Sequence, residues 1–481
     1  MDAICGAGLL PCLPADPELI VIADARAAHA PLPASGWEPP ALALFLEEER
    51  LTLEPLFGAS STPVPELSLF HRARGAGRRV DELAARLPAL PGIDAAYVKP
   101  GALPATLAPG VPRSPAATCP GGRPTPDLSA RQGHLAPAPG GVDALWAWAL
   151  PGGAGDGVGV VDVGGAWRLG HEALGRKLAG VVAGTPVEDA GWRHHGTSVL
   201  AVIGGSCGGG SGITGIAPRA LIAAASCHGI GTARAVRAAA DRLAPGDLLV
   251  IGLHRPGPRF GHALRDDQRG CIPLEWWPDD FAAIRHATAK GVVVVSAAGN
   301  GAESLDDALY DRHPDGFPFW WRNPLSSTGP CSGAVLVGAG APPPGTHGRD
   351  HGPDRSRLVC SGFGSRVDVQ GWGREVTTAG ADGDGPGDLL GGGEEDRWYT
   401  DVFSGTSAAA AMVASALASV QGVLKAAGRE PLAPGPVREL LRTTGAPQQE
   451  APGRPASQRI GNRPDLRAAV RRLFGATGRG G

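Results

Sequence analysis

Three polar residues interrupt apolar runs in positions that invite chemistry. Asp162 lies inside GVGVVDVGG (157–165), His195 inside HHGTSVLAVIGG (194–205) and Ser407 inside FSGTSAAAAMVASAL (403–417). A carboxylate in a buried strand is costly unless another group pairs with it. A Gly-Thr-Ser turn that opens a helix puts the serine N–H among donors the helix leaves unpaired, where developing negative charge is stabilised. Hydroxyl, imidazole and carboxylate are also the parts of an activated nucleophile. Taken singly, each has a plainer reading: a hydrogen-bonded strand Asp, a cap-side or core His, a turn Ser. Asn300 follows VVVVSAAG (292–299), and Gly-Asn after a strand is by itself an ordinary turn signal.

Other letter patterns fail on context. Gly204-Gly205-Ser206-Cys207-Gly208 spells a nucleophile elbow, but a helix precedes it where a strand is required. The glycines at 155, 157 and 159 precede their strand, whereas a dinucleotide loop follows one. This excludes a Rossmann-type oxidoreductase. His171-Glu172 does not extend to H-E-x-x-H, and no cluster has metal-ligand spacing. The acidic, glycine-rich run 380–396 does not match an EF-hand loop and reads as a mobile loop.

The elements needed to carry these residues are visible in the periodicity. Residues 158–163 form a short apolar strand, 197–203 a helix, 220–225 a strand and 232–243 an amphipathic helix. A strand at 247–253, a helix at 281–290 and strands at 291–297 and 334–337 follow. Continuous apolar strands separated by helices imply an α/β domain with a mostly parallel sheet covered on both faces. Ligands of such sheets bind beyond the carboxyl ends of the strands. Upstream, strands at 18–23, 66–72 and 93–98 alternate with helices at 41–53 and 80–90, which suggests a small α+β unit. Residues 101–140 are rich in Pro, Ala and Gly without periodicity. We therefore expect three parts: a small domain over 1–100, a linker over 101–140 and the main domain over 141–475.

Length and composition bound the rest. A chain of 481 residues with a formal charge of −3 carries no basic stripe for nucleic acid. The eight cysteines contain no CxxC pair, so a zinc ribbon is unsupported, and one or two disulfides are an option only for an exported protein. The N-terminus lacks a basic region, and prolines and Asp16 break its apolar stretch, so it is a poor signal peptide. Residues 407–424 are apolar over a membrane-like length but rich in Ala and Ser, which fits a buried helix better than a membrane span.

Taken together and in order, the four blocks around Asp162, His195, Asn300 and Ser407 resemble the subtilases, the subtilisin-type serine peptidases of family S8. GITGIAPRALI (212–222) and SGFGSRVDVQGWGREVTTAG (361–380) add to the similarity, which covers about residues 140–470. The order Asp, His, Ser is itself that of the family. The resemblance implies a subtilisin-like three-layer domain and a serine endopeptidase. Within it, Asp162 would orient His195, His195 would take the proton of Ser407, and Asn300 with the Ser407 N–H would hold the oxyanion. It implies protein or peptide substrates, a monomer, and export, for which the visible N-terminus gives no support. No cofactor is required; structural calcium occurs in the family, without a motif for it here. Residues 1–100, ending in DELAARLPALPGIDAAYVKP (81–100), resemble a subtilase propeptide in size and position, which would make the chain a zymogen; a plain accessory α+β domain is the alternative. His194 is a surface or cleft residue beside the active His195. Departures from the family pattern are Ala411 where a proline is usual, Val163-Gly164-Gly165 after the Asp, and Leu253-His254-Arg255-Pro256-Gly257 at the substrate-binding edge strand. His254, Arg255 and Gly257 are thus the candidate substrate contacts. The alternatives are a non-catalytic or propeptide-inhibited binding protein on the same fold and a sedolisin-type peptidase, which would use Glu and Asp where this chain supplies a histidine.

Overall fold

The computed structural model describes residues 12–24, 39–58, 64–107, 117–118, 124–175, 178–207, 210–381 and 387–475. Cys5, Cys119 and the first eleven residues of the stretch read as a poor signal peptide lie outside them, as does the 382–386 part of the acidic run. The six described cysteines (12, 207, 227, 271, 331 and 360) are free thiols.

The N-terminal unit is an antiparallel sheet of β1 (Glu18–Ala23), β2 (Thr52–Pro55), β3 (Phe70–Arg74) and β4 (Ile93–Lys99), ordered β2-β3-β1-β4. Its two helices, α1 (Pro40–Glu49) and α2 (Val80–Arg86), cover one face. Strand alternation explains how β1 is buried on both sides. Leu19 and Val21 pack with Leu42, Leu46 and Leu83, whereas Ile20 and Ile22 join the core of the larger domain with Trp276 and Leu253. Two details differ from the sequence reading. Residues 65–69 form a 3-10 turn, with Pro65 in its first turn, so the strand expected at 66–72 begins only at Phe70. Helix α1 stops at Glu49 because Arg50 is left-handed, which frees 52–55 to become β2.

Two short strands follow, β5 (Leu103–Pro104) and β6 (Ala117–Thr118). The main sheet then collects β7 (Gly159–Gly164), β8 (Leu178–Ala183), β9 (Leu221–Ser226) and β10 (Leu248–Ile251). Next come an edge pair, β11 (Leu253–Pro256) and β12 (Cys271–Pro273), and three more sheet strands: β13 (Val293–Ala297), β14 (Val335–Gly340) and β15 (Val369–Trp372). The seven-stranded sheet has the order β15-β14-β13-β10-β7-β9-β8, and every pairing in it is parallel. Consecutive strand residues face opposite cores: Val160, Val250 and Val295 lie on one side, and Val161, Ile251 and Val294 on the other. The first face carries α3 (Ala190–Gly204) and the long α6 (Gly405–Ala426); the second carries α4 (Thr232–Arg242) and α5 (Pro278–Ala289). Helix–sheet–helix layering is what apolar strands without alternation require. Strands β8 and β15, and an arm of β16 (Val376–Ala379), β17 (Leu390–Gly391) and β18 (Tyr399–Phe403), went unread in the sequence. The acidic run is partly this arm, not a plain loop. Helix α6 is long and apolar enough to cross a membrane, but it is buried inside the domain.

The stretch 101–140, expected as a linker, carries ordered pieces at both ends. Strand β5 adds to the edge of β11, giving the order β12-β11-β5, and short 3-10 turns at Ser129–Arg131 and Gly133–Leu135 lead into the main domain.

Candidate active site

Strand ends and helix starts deliver the polar residues to one place. Asp162 sits on β7 opposite Val250 of β10, 1 % exposed. His195 was expected just ahead of a helix but lies inside α3. Asp189 caps that helix by accepting from the Trp192 N–H at 2.9 Å, so it begins at Ala190. Ser407 stands in the first turn of α6, and Asn300 follows β13. A Cβ placed on Gly252, between β10 and β11, would lie 3.2 Å from Ser407 Cβ and 3.3 Å from His195 Cε1. A side chain there would press on both residues.

The electrostatics are those of groups shut away from water. Burial raises the Asp162 carboxyl to about 7, opposed by the hydrogen bond its Oδ2 accepts from Trp167 Nε1 at 2.8 Å. Burial lowers His195 to about 3, so its imidazole is neutral at physiological pH. Asp162 Oδ1 and both ring nitrogens of His195 are buried without a hydrogen-bond partner in the protein. No hydrogen bond joins His195 to Asp162 or Ser407 in this arrangement. The Ser407 hydroxyl is engaged elsewhere.

That engagement is with the chain's own upstream segment. Ser407 donates twice to the carbonyl oxygen of Ala105, from its N–H at 3.1 Å and its Oγ at 2.9 Å. Pro104 lies opposite Leu253, Leu103 lies opposite His254, and the Ala105 N–H donates to Gly252 O at 2.9 Å. Residues 103–105 thus form an added edge strand whose last carbonyl rests on the serine. Gly405 permits the approach: its φ is +85°, and a Cβ there would overlap the Ala105 oxygen while standing 2.9 Å from Asn300 Nδ2. Asn300 is held at both ends, its Oδ1 accepting from Thr406 N and Oγ1 at 2.9 and 3.0 Å, and its Nδ2 donating to Gln268 Oε1 at 3.1 Å.

Gln268 is the residue the sequence reading missed. It comes from the loop between β11 and β12, is left-handed at φ +58°, and its Nε2 donates to Thr106 O at 2.8 Å. It therefore touches the residue just beyond the Ala105 carbonyl and steadies Asn300. No motif surrounds it, so nothing in the sequence marked it.

The three candidate edge-strand contacts separate. The His254 backbone pairs with Leu103 of the added strand, and its Nδ1 accepts from the Asn300 N–H at 3.1 Å. The Arg255 guanidinium turns instead to Pro100 O, Thr232 Oγ1 and Asp280. The Gly257 N–H pairs with Gly270 O. His194, expected at the surface or cleft, is 2 % exposed, with Nε2 3.2 Å from Glu395 Oε1 and its ring 5.4 Å from that of Trp398. Successive helix residues point about 100° apart, so His194 meets Glu395 and Trp398 while His195 meets Gly252 and the ring of Phe403 on β18. Among the described residues, no group of three His, Cys, Asp or Glu side chains is placed to hold a metal.

A model described as Peptidase_S8, the Subtilase family, matches residues 181–476, more than half of the chain and including His195, Asn300 and Ser407. No curated protein matches. Among solved structures, the epidermin leader peptide processing serine protease (EpiP) of Staphylococcus aureus is 16% identical with a TM-score of 0.54, covering 97% of this chain and 100% of that one. A protease of Pseudoalteromonas arctica PAMC 21717 is 18% identical with a TM-score of 0.47, over 72% of this chain and 98% of that one. A cold adapted subtilisin-like serine proteinase is 21% identical with a TM-score of 0.42, over 65% and 89%.

Proposed function

The chain belongs to the subtilase family of serine-type endopeptidases, and on that premise we propose that it is made as a self-blocked precursor with Asp162, His195 and Ser407 as its triad. The observation that carries this reading is the Ala105 carbonyl held by the Ser407 N–H and hydroxyl at 3.1 and 2.9 Å, at the end of a strand added to β11. A peptide lies where a substrate would lie.

In the proposed cycle the Ser407 Oγ–H gives its proton to His195 as Oγ attacks the peptide carbonyl carbon. The oxyanion takes its hydrogen bonds from the Ser407 N–H and the Asn300 amide, whose Nδ2 and the Ala105 oxygen both crowd the place a Cβ on Gly405 would occupy. His195 then returns the proton to the leaving amine, the C–N bond breaks, and water releases the acyl group from Ser407. Asp162 orients His195. The buried, unpartnered Asp162 Oδ1 and His195 nitrogens support this role, because buried polar atoms are seldom left unpaired without a functional reason. The cycle calls for no metal. The acidic residues Glu394, Glu395 and Asp396 are matched by Arg397, Arg193 and Arg168 at 3.5, 2.6 and 2.6 Å.

The first bond cut would be Ala105–Thr106, with residues 1–105 then acting as a propeptide-like inhibitor and protein or peptide chains as later substrates. Mass spectrometry and N-terminal sequencing test this directly. The wild-type chain should yield Thr106 as a new N-terminus and react with a fluorophosphonate probe, and Ser407→Ala should do neither. A wild-type chain that stays whole and remains unlabelled after trimming by another protease would refute the enzyme reading of these residues.

A further inference from the structure

The residues beside Ala105 say which side chains this site accepts. Leu103 lies opposite His254, Pro104 opposite Leu253, and Ala105 is hydrogen-bonded to Gly252. Directly opposed residues of an antiparallel pair share a face, and every second residue returns to it. Ala105, Gly252, Leu103 and His254 therefore share one face, and the His254 ring is the diagonal neighbour of the Ala105 methyl. Long side chains reach across such a diagonal.

The ring is fixed there. Its Nδ1 accepts the Asn300 N–H at 3.1 Å, and the residue is fully buried. Asn300 follows β13, so the imidazole spans from the edge strand β11 to the segment that carries the oxyanion-side amide. The side chain of the residue before the cut bond must enter between those two walls. Ala105 is itself fully buried, which leaves its methyl no open side toward water.

Resting on Ser407 as nucleophile, we propose that His254 sets the specificity of this enzyme by confining the residue on the acyl side of the cut bond to alanine-sized side chains. The substrate class is then extended peptides cut after Ala, Gly or Ser. A bulky residue there would have to displace an imidazole anchored to main chain, and well-packed sites resist added volume.

The test uses processed enzyme and the peptide p-nitroanilides Ala-Leu-Pro-Xaa, with Xaa as Ala, Leu or Phe. Wild type should favour Ala over Phe by about 100-fold or more in kcat/KM, in line with discrimination by pocket size. His254→Gly should cut that ratio at least about tenfold, chiefly through a lower KM for Phe. In the full chain, Ala105→Phe should block self-cleavage, and adding His254→Gly should restore it. Fluorophosphonate labelling is recorded for each protein. A labelled wild type that accepts Phe as readily as Ala overturns the proposal without any variant having to fold, as does a labelled His254→Gly with an unchanged ratio. An unlabelled wild type instead removes the Ser407 reading, and the proposal with it.

Discussion

At the scale of single residues, Asp162 carries a cost of burial at neutral pH, where His195 is uncharged. Its folded-state carboxyl sits near 7, far above the ordinary value of about 3.8, because burial penalises the anion. Between those two values the folded chain holds on Asp162 a proton that the unfolded chain has released, so the contribution of this one group to stability falls as pH rises from about 4 to about 7. At roughly 1.4 kcal/mol per pH unit, the loss amounts to a few kcal/mol. In a Ser407→Ala background, Asp162→Asn should therefore raise the melting temperature at pH 7.5 and leave it nearly unchanged at pH 4, which calorimetry can measure. In the active chain the same change should lower kcat by about 10⁴-fold, the size of effect known for a triad Asp held in an otherwise intact site. Asp162, His195, Asn300 and Ser407 could be singled out as candidates because each sits in a motif block. Gln268 was not, because a lone glutamine in a loop gains its meaning only from the Thr106 carbonyl and the Asn300 amide it meets.

At the scale of elements, β7, β9, β10, β13 and β14 could be read because their apolar runs face two cores and need no alternation. Strand β5 could not. A Leu-Pro-Ala segment in a Pro-rich stretch has no propensity of its own, and it becomes a strand only because β11 offers an edge to pair with. The start of α6 shows the converse, where a local signal carries a long-range demand. Gly405 reads as part of a helix-opening turn, yet its missing Cβ is what admits the Ala105 oxygen beside Asn300. Gly405→Ala should leave the circular dichroism spectrum close to that of wild type while lowering kcat/KM on the order of 10²-fold or more, the scale of losing an oxyanion donor. A variant that kept full activity would mean that peptide carbonyls enter by another route.

At the scale of the whole molecule, the two folded units are joined by a buried charge cluster. Lys99 at the end of β4 is fully buried and reaches Asp279, Asp280 at 3.5 Å and Glu18 at 3.1 Å; Arg255 of β11 also pairs with Asp280 at 3.3 Å. Removing one partner from such a cluster leaves charges buried and uncompensated, at a typical cost of about 3–5 kcal/mol. Lys99→Met should lower the melting temperature of the Ser407→Ala precursor markedly. It should leave kcat/KM of the processed enzyme unaltered, because residue 99 is upstream of the proposed cut. An equally stable precursor would assign the cohesion of the two units to the apolar contacts around Ile20, Ile22 and Trp276 instead. The pairing of residues 103–105 with the β11 edge has a consequence in the language of concentration. While the bond at Ala105 is whole, the blocking strand is supplied by its own chain at an effective concentration that dilution cannot change. If the bond is cut as proposed, the same strand becomes a separate molecule whose hold obeys mass action. The lag before activity appears should then shorten as freshly cut protein is diluted, making dilution a signal the enzyme can sense.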